Sequence, residues 1–134
     1  MGDLIGQGNK DIITWIGKTV GRSVAEVVYK DEAPKDNNDL IMKAFKALET
    51  IGFGILSLMK YEEDTNIIVK VDNPLYEGLE ENQEIISNIY SGIFLGILEY
   101  LGRKATSVEI EAAWKSKNIK HSLFELKIEG AGSK

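Results

Sequence analysis

The sequence predicts an α+β domain with elements in the order ααββαββ, an antiparallel β-sheet packed with helices. Three observations lead there. Apolar residues recur at three- and four-residue steps in three separate stretches, as they do along one face of a helix. Four shorter stretches, β-branched or alternating in polarity, are joined in pairs by polar turns, as in hairpins. With 134 residues, the chain suits a single domain over 1–134 with one hydrophobic core.

Asn9 or Asp11 is the candidate cap of the first helix, which runs to about Tyr29. Ile13, Ile16, Val20, Val24 and Val27 form its apolar stripe. Gly17 and Gly21 sit four apart on the same helix, where each costs up to ~1 kcal/mol against alanine. A smooth patch for close packing accounts for their presence. Lys30 to Asn38 is a polar connector, and Asn38 or Asp39 starts a second helix that turns Ile41, Ala44, Phe45 and Leu48 inward and ends before Gly52.

Gly52 to Lys60 reads as a strand with a glycine-marked bend, and Asn66 to Val71 as its β-branched partner across the acidic turn Glu62-Glu63-Asp64. Asp72 to Gly78 is a loop. The stretch from Ile85 to Leu101 is a helix with apolar side chains on more than one face, stopping at Gly102. One layer of protein cannot cover it, so a second packing partner or an enclosed apolar pocket is required. Ser107 to Trp114 and His121 to Ile128 form a second hairpin around Ser116-Lys117-Asn118, and Gly130 to Lys134 is a loose tail.

Composition narrows the function classes. A content of 43% hydrophobic and 28% charged residues belongs to an ordinary globular protein. A net charge of −5 argues against a general nucleic-acid binder, which needs a basic face, and against docking on an anionic membrane. The absence of cysteine excludes disulfides, thiolate nucleophiles and cysteine-based zinc sites. No apolar run approaches the ~20 residues of a membrane span. The first residues, Met1 to Gly6, lack the basic and long apolar regions of a signal peptide. The expected location is the cytoplasm.

Several short motifs, weak singly but ordered together, carry a resemblance. They are Gly52-Phe53-Gly54, the strand end Val71-Asp72-Asn73-Pro74, the helix segment Gly92-Ile93-Phe94-Leu95-Gly96-Ile97-Leu98, and Glu111 followed thirteen residues later by Phe124. From the first helix to Ile128 the chain resembles the 4-vinyl-reductase domain family, related to core subunits of the TRAPP transport complex and to the sensing domains of phenol-responsive activators. Many members of that family hold a metal with cysteines and one glutamate. By spacing, the glutamate falls on Glu111 and the cysteine positions on Ser87, Trp114 and Ser122. Hydroxyl and indole groups do not replace thiolates as soft zinc ligands, so no metal is expected here.

No catalytic constellation emerges. There is no Gly-x-Ser-x-Gly elbow, His-Glu-x-x-His pair, phosphate loop or dinucleotide fingerprint. His121 is the one histidine, and Ser122 beside it points to the opposite strand face. Glu109 and Glu111 form a carboxylate pair two residues apart, read as a solvated face rather than an acid–base couple. No cofactor is expected. Trp15, Phe45, Tyr90, Phe94, Trp114 and Phe124 lie on elements expected to face one interior, as plain core or as the lining of an apolar ligand pocket.

The glycine pairs Gly17/Gly21 and Gly92/Gly96 admit close backbone approach, either inside one subunit or between two. Ile89, Ile93, Ile97 and Tyr100 remain once one face of the long helix is given to the sheet, which points to a homodimer. The reading is a non-enzymatic domain that binds or senses a small hydrophobic molecule as a homodimer. Its alternative is an adaptor that assembles with itself or an unidentified protein partner through its apolar helices.

Overall fold

The computed structural model describes residues 2–62, 65–72, 83–111 and 121–129, with side-chain surroundings from 11 in the first helix, from 87 in the third and up to 110 in the third strand. The order of elements is α1 (Gly2–Glu32), α2 (Asn37–Thr50), β1 (Ile55–Glu62), β2 (Asn66–Asp72), α3 (Gln83–Tyr100), β3 (Ala105–Glu111) and β4 (His121–Ile128). This is the predicted ααββαββ order. The strands form one antiparallel sheet in the spatial order β1-β2-β4-β3. Two hairpins thus lie side by side, joined through their second strands, with α3 connecting them.

Helix ends follow local chemistry. Asp36 caps α2 by accepting from the Asp39 amide at 2.8 Å, while Asp39 accepts from the Lys35 amide at 2.9 Å. That backbone bond, with the Lys43 ammonium nearby, holds the Asp39 carboxyl below the usual aspartate range. At the other end, Gly52 at φ 103° lets the Phe53 amide reach the Leu48 carbonyl at 3.0 Å. The same motif ends α3, where Gly102 at φ 78° lets the Arg103 amide bond to the Leu98 carbonyl at 2.8 Å.

Several boundaries differ from expectation: α1 runs three residues past Tyr29, the cap of α2 is Asp36 rather than Asn38 or Asp39, and α3 starts at Gln83. α1 begins at Gly2, about two turns before Asn9, because Gly6 and Gly8 lower helix propensity without ending a helix. β1 begins at Ile55 rather than Gly52, since Gly52 and Gly54 both have positive φ and belong to the turn after α2. β3 starts two residues early, at Ala105. The expected turn at Ser116-Lys117-Asn118, the loop after Asp72 and the tail from Gly130 lie outside the described residues.

The core lies between the sheet and two helices. Ile67, Val69 and Val71 of β2 alternate inward, as do Ser122, Phe124, Leu126 and Ile128 of β4. α2 and α3 cover this face through Ile41, Phe45, Phe94, Ile97 and Leu98. Each large side chain fully buried there contributes roughly 1.5–3 kcal/mol.

α1 forms a third layer, on the far side of α3. Its packing face coincides only in part with the stripe of bulky residues that periodicity suggests: Val20 and Val24 pack partly against the core. Gly17, Gly21, Ala25 and Val28 are buried, while Ile16 and Val27 are exposed. A methyl group built on Gly17 would stand 2.5 Å from the Ile89 carbonyl oxygen and 2.9 Å from the Gly92 Cα. One on Gly21 would strike the Ile93 carbonyl, one on Gly92 the Thr14 carbonyl, and one on Gly96 the Lys18 carbonyl. The two helices therefore touch backbone to backbone, a separation that only glycine permits. Lys18 and Glu99 close the contact with an ion pair at 2.9 Å.

Gly21→Ala separates two opposing effects. Helix propensity favours alanine by up to ~1 kcal/mol, whereas collision with Ile93 forces the helices apart. We expect a net loss of about 1–3 kcal/mol, read as a lower urea midpoint. A stabilised variant would mean that α1 and α3 stand further apart than described.

Candidate ligand site

Four of the six aromatic residues singled out in the sequence meet in one cluster. Phe94, on the inner face of α3, packs edge-on against Phe124 of β4 at 5.3 Å between ring centroids and against Phe45 of α2 at 5.9 Å. Tyr90, one turn before Phe94, lies 6.2 Å from it and 6.0 Å from Phe124. The spacing of Tyr90 and Phe94 places both on one helix face, and strand alternation turns Phe124 toward them. Phe53, named in the sequence only within the Gly52-Phe53-Gly54 motif and not among the six aromatics, adds an edge contact to Tyr90 at 6.0 Å.

The Tyr90 ring is 1% exposed, so its hydroxyl needs a partner. It donates to the Phe53 carbonyl at 2.6 Å, tying α3 to the turn that precedes β1. Beside the cluster, Ile41, Phe45, Ile67, Val69, Phe94, Ile97, Leu98 and Leu126 surround an apolar cavity of about 10 Å³. That is roughly the room of one water molecule, and its walls offer no hydrogen bonds, so it is a packing gap beneath α2.

The other two aromatics lie elsewhere. Trp15 is 61% exposed on the outward face of α1, away from the cluster. Trp114 falls outside the described residues. Trp15 sits about 160° around the helix from Gly17, so the face that packs on α3 turns the indole toward solvent.

A polar seam runs between α3 and β3, and sequence reasoning did not find it as such. Ser87 donates to Glu109 at 2.7 Å, and Ser107 donates to Ser91 at 2.9 Å. Ser87 and Ser91 are one helical turn apart, and Ser107 and Glu109 share one strand face, so the two pairs form a ladder. The available signal was the i, i+4 serine pair facing alternate polar residues of an edge strand. Glu109 is thus half-buried and bonded, while a register shift separates it from Glu111, whose side chain is not described. Ser122 is buried on the inner face of the sheet, and His121 pairs with Asp72 in the strand register on the other face. Among the described residues, no three His, Asp or Glu side chains converge as metal ligands, and no helix is long and apolar enough to cross a membrane.

The residues expected at an interface lie largely inside the chain. Gly17, Gly21, Gly92 and Gly96 form the α1–α3 contact. Ile89 and Ile93 lie along it, Ile97 faces the cavity, and Tyr100 packs edge-on against Tyr29 of α1 at 6.1 Å. The second layer that the long helix requires is therefore supplied by α1 of the same chain.

Tyr90→Phe removes the donor and leaves the Phe53 carbonyl without it. A loss of about 1–2 kcal/mol is expected from denaturant unfolding, with an unchanged slope. Equal stability of the two proteins would show that the bond contributes nothing net.

No family model matches the chain, and no curated protein matches it in sequence. Solved structures do share its fold. The phenol-responsive sensory domain of the transcription activator PoxR, solved with phenol, superposes with a TM-score of 0.75 at 10% identity, over 94% of this chain and 68% of that one. A trafficking protein particle complex subunit 3 from Naegleria fowleri, covalently bound to palmitic acid, gives 0.64 at 14% identity, over 97% and 91%. A vinyl-4-reductase family protein from Methanocaldococcus jannaschii gives 0.60 at 22% identity, over 87% and 67%. The chain has the fold shared by these sensory, trafficking and vinyl-4-reductase-family domains.

Proposed function

We propose that this domain binds a small hydrophobic molecule, without catalysis, and works as a homodimer. The observation that carries the reading is the aromatic cluster of Phe45, Tyr90, Phe94 and Phe124 beside an apolar gap under α2. Such a site binds by removing apolar area from water, at about 25 cal/mol per Å². Two structures of the same fold hold phenol and palmitic acid, which supports an apolar ligand. A gap of about 10 Å³ holds neither, so a ligand enters by displacing α2. That helix lies between residues of positive φ, Ala33 at 46° and Gly52 at 103°, and both flanks are short turns.

A second reading has its own support. The closed core and the exposed apolar residues of α1 favour an adaptor that assembles without a ligand. Native mass spectrometry on freshly purified protein separates the two. A reproducible extra mass, lost on denaturation, supports the binding domain. A thermal shift of several degrees with a small phenol or a fatty acid does the same, since a ligand of the native state raises its melting temperature. Ile41→Phe, which fills the gap, is then expected to weaken that ligand at least tenfold. Protein with no extra mass and no shift across such a series contradicts the binding domain and favours the adaptor.

A further inference from the structure

We infer that the outward face of α1 is the interface between two copies of this chain, paired antiparallel about a two-fold axis passing between Thr19 and Val20. The inference rests on the homodimeric reading above and supplies its surface, but it does not depend on a ligand. Ile12, Trp15 and Ile16 form a ridge near one end of this face. Val27, with Ile51 just after α2, stands at the other, and all five are 46–62% exposed. Toward that second end, Ser23, Val24, Val27, Val28, Ala47 and Ile51 line an open groove of about 220 Å³.

A two-fold interface must be self-complementary, because each contact of one copy on the other is made twice. Ridge and groove meet that condition on a single helix. Ile12 and Val27 have the same midpoint in the chain as Ile16 and Ser23. One antiparallel placement therefore sets Ile12 against Val27 of the partner subunit and Ile16 against Ser23 of the partner subunit. The serine side chain is small, which leaves room for the isoleucine. On the flank, Trp15 comes within about 3 Å along the axis of the level of Arg22 of the partner subunit, and both side chains are exposed, as a cation–π contact requires.

Between Ile12 and Val27 the centre of the stripe is neutral, with the exposed Arg22 and Glu26 along its flank and Lys30 beyond its end. Ile12, Ile16, Thr19, Val20, Ser23 and Val27 are all neutral in a chain that is 28% charged. The strands also expose Ile55, Met59, Val108 and Ile110, but on the sheet face without helices charged residues stand among the apolar ones: Ile68 pairs between Lys60 and Glu125, Leu123 beside Lys70, and Val108 beside Glu125. The five exposed side chains leave roughly 500 Å² open per copy, at the usual sizes of aromatic and branched residues. Covering both sets removes about 1,000 Å², the threshold of a specific interface.

The lack of native cysteine allows a direct test. In the full chain, Thr19→Cys stands at the axis and Met59→Cys stands on the sheet. With a short bismaleimide cross-linker, Thr19→Cys is expected to give mostly covalent dimer, and Met59→Cys essentially none. Ile16→Glu is expected to convert a dimer into a monomer by light scattering, with unchanged far-UV circular dichroism, since Ile16 is already exposed in the single chain. A monomeric native chain at 100 µM overturns the inference and the homodimer together. A native dimer that cross-links no better through Thr19→Cys than through Met59→Cys, or that survives Ile16→Glu, overturns this interface and leaves the homodimer standing.

Discussion

The contact between α1 and α3 organises the molecule. α3 carries apolar side chains around most of its circumference, and the sheet and α2 cover one side only. The opposite side has to be covered for the chain to stay in solution. Gly17 and Gly21 on one helix and Gly92 and Gly96 on the other bring the two backbones together, so this layer is thin and dense rather than filled by side chains. Dispersion contacts over that length replace the large side chains that an ordinary helix pair interdigitates.

That arrangement has a consequence for α1. A helix that buries a glycine face hides little of its own apolar surface, so its bulky residues are left elsewhere on its circumference. Ile12, Trp15, Ile16 and Val27 remain exposed for this reason. The geometry that completes the core of one subunit also leaves an apolar outer surface on α1. On the other side of α3, the aromatic cluster and the cavity sit beneath α2, a helix bounded at both ends by short turns. The aromatic cluster and α1 thus lie on opposite sides of α3, the element that touches both.

Much of this was legible in the sequence. The element order followed from periodicity, and the stops at Gly52 and Gly102 followed from the positive φ that both adopt. Phe45, Tyr90, Phe94 and Phe124 converged because helix and strand periods place them on inward faces. Gly17 and Gly21 were legible as a patch for close packing, and they are the α1–α3 contact. What failed was part of the apolar stripe of α1: Val20 and Val24 pack partly against the core, but Ile16 and Val27 are exposed, because periodicity weighs bulky residues and cannot centre the buried face on glycines. Trp15 was misplaced with that face. The pairing of Ser87 with Glu109 was hidden because hydrogen bonds between distant elements leave no local period. Sequence spacing had also marked Glu109 and Glu111 as one carboxylate pair, with no sign of the register shift that lies between them.

Native-state hydrogen exchange tests the α1–α3 contact most directly, because amides exchange at the free energy of the opening that exposes them. If the glycine contact holds the subunit together, amides from Gly17 to Val28 of α1 exchange with the same opening free energy as those from Tyr90 to Leu98 of α3, both equal to global unfolding. Protection in α1 lower than in α3 by several kcal/mol would mean that α1 detaches alone, and that something other than this contact covers α3.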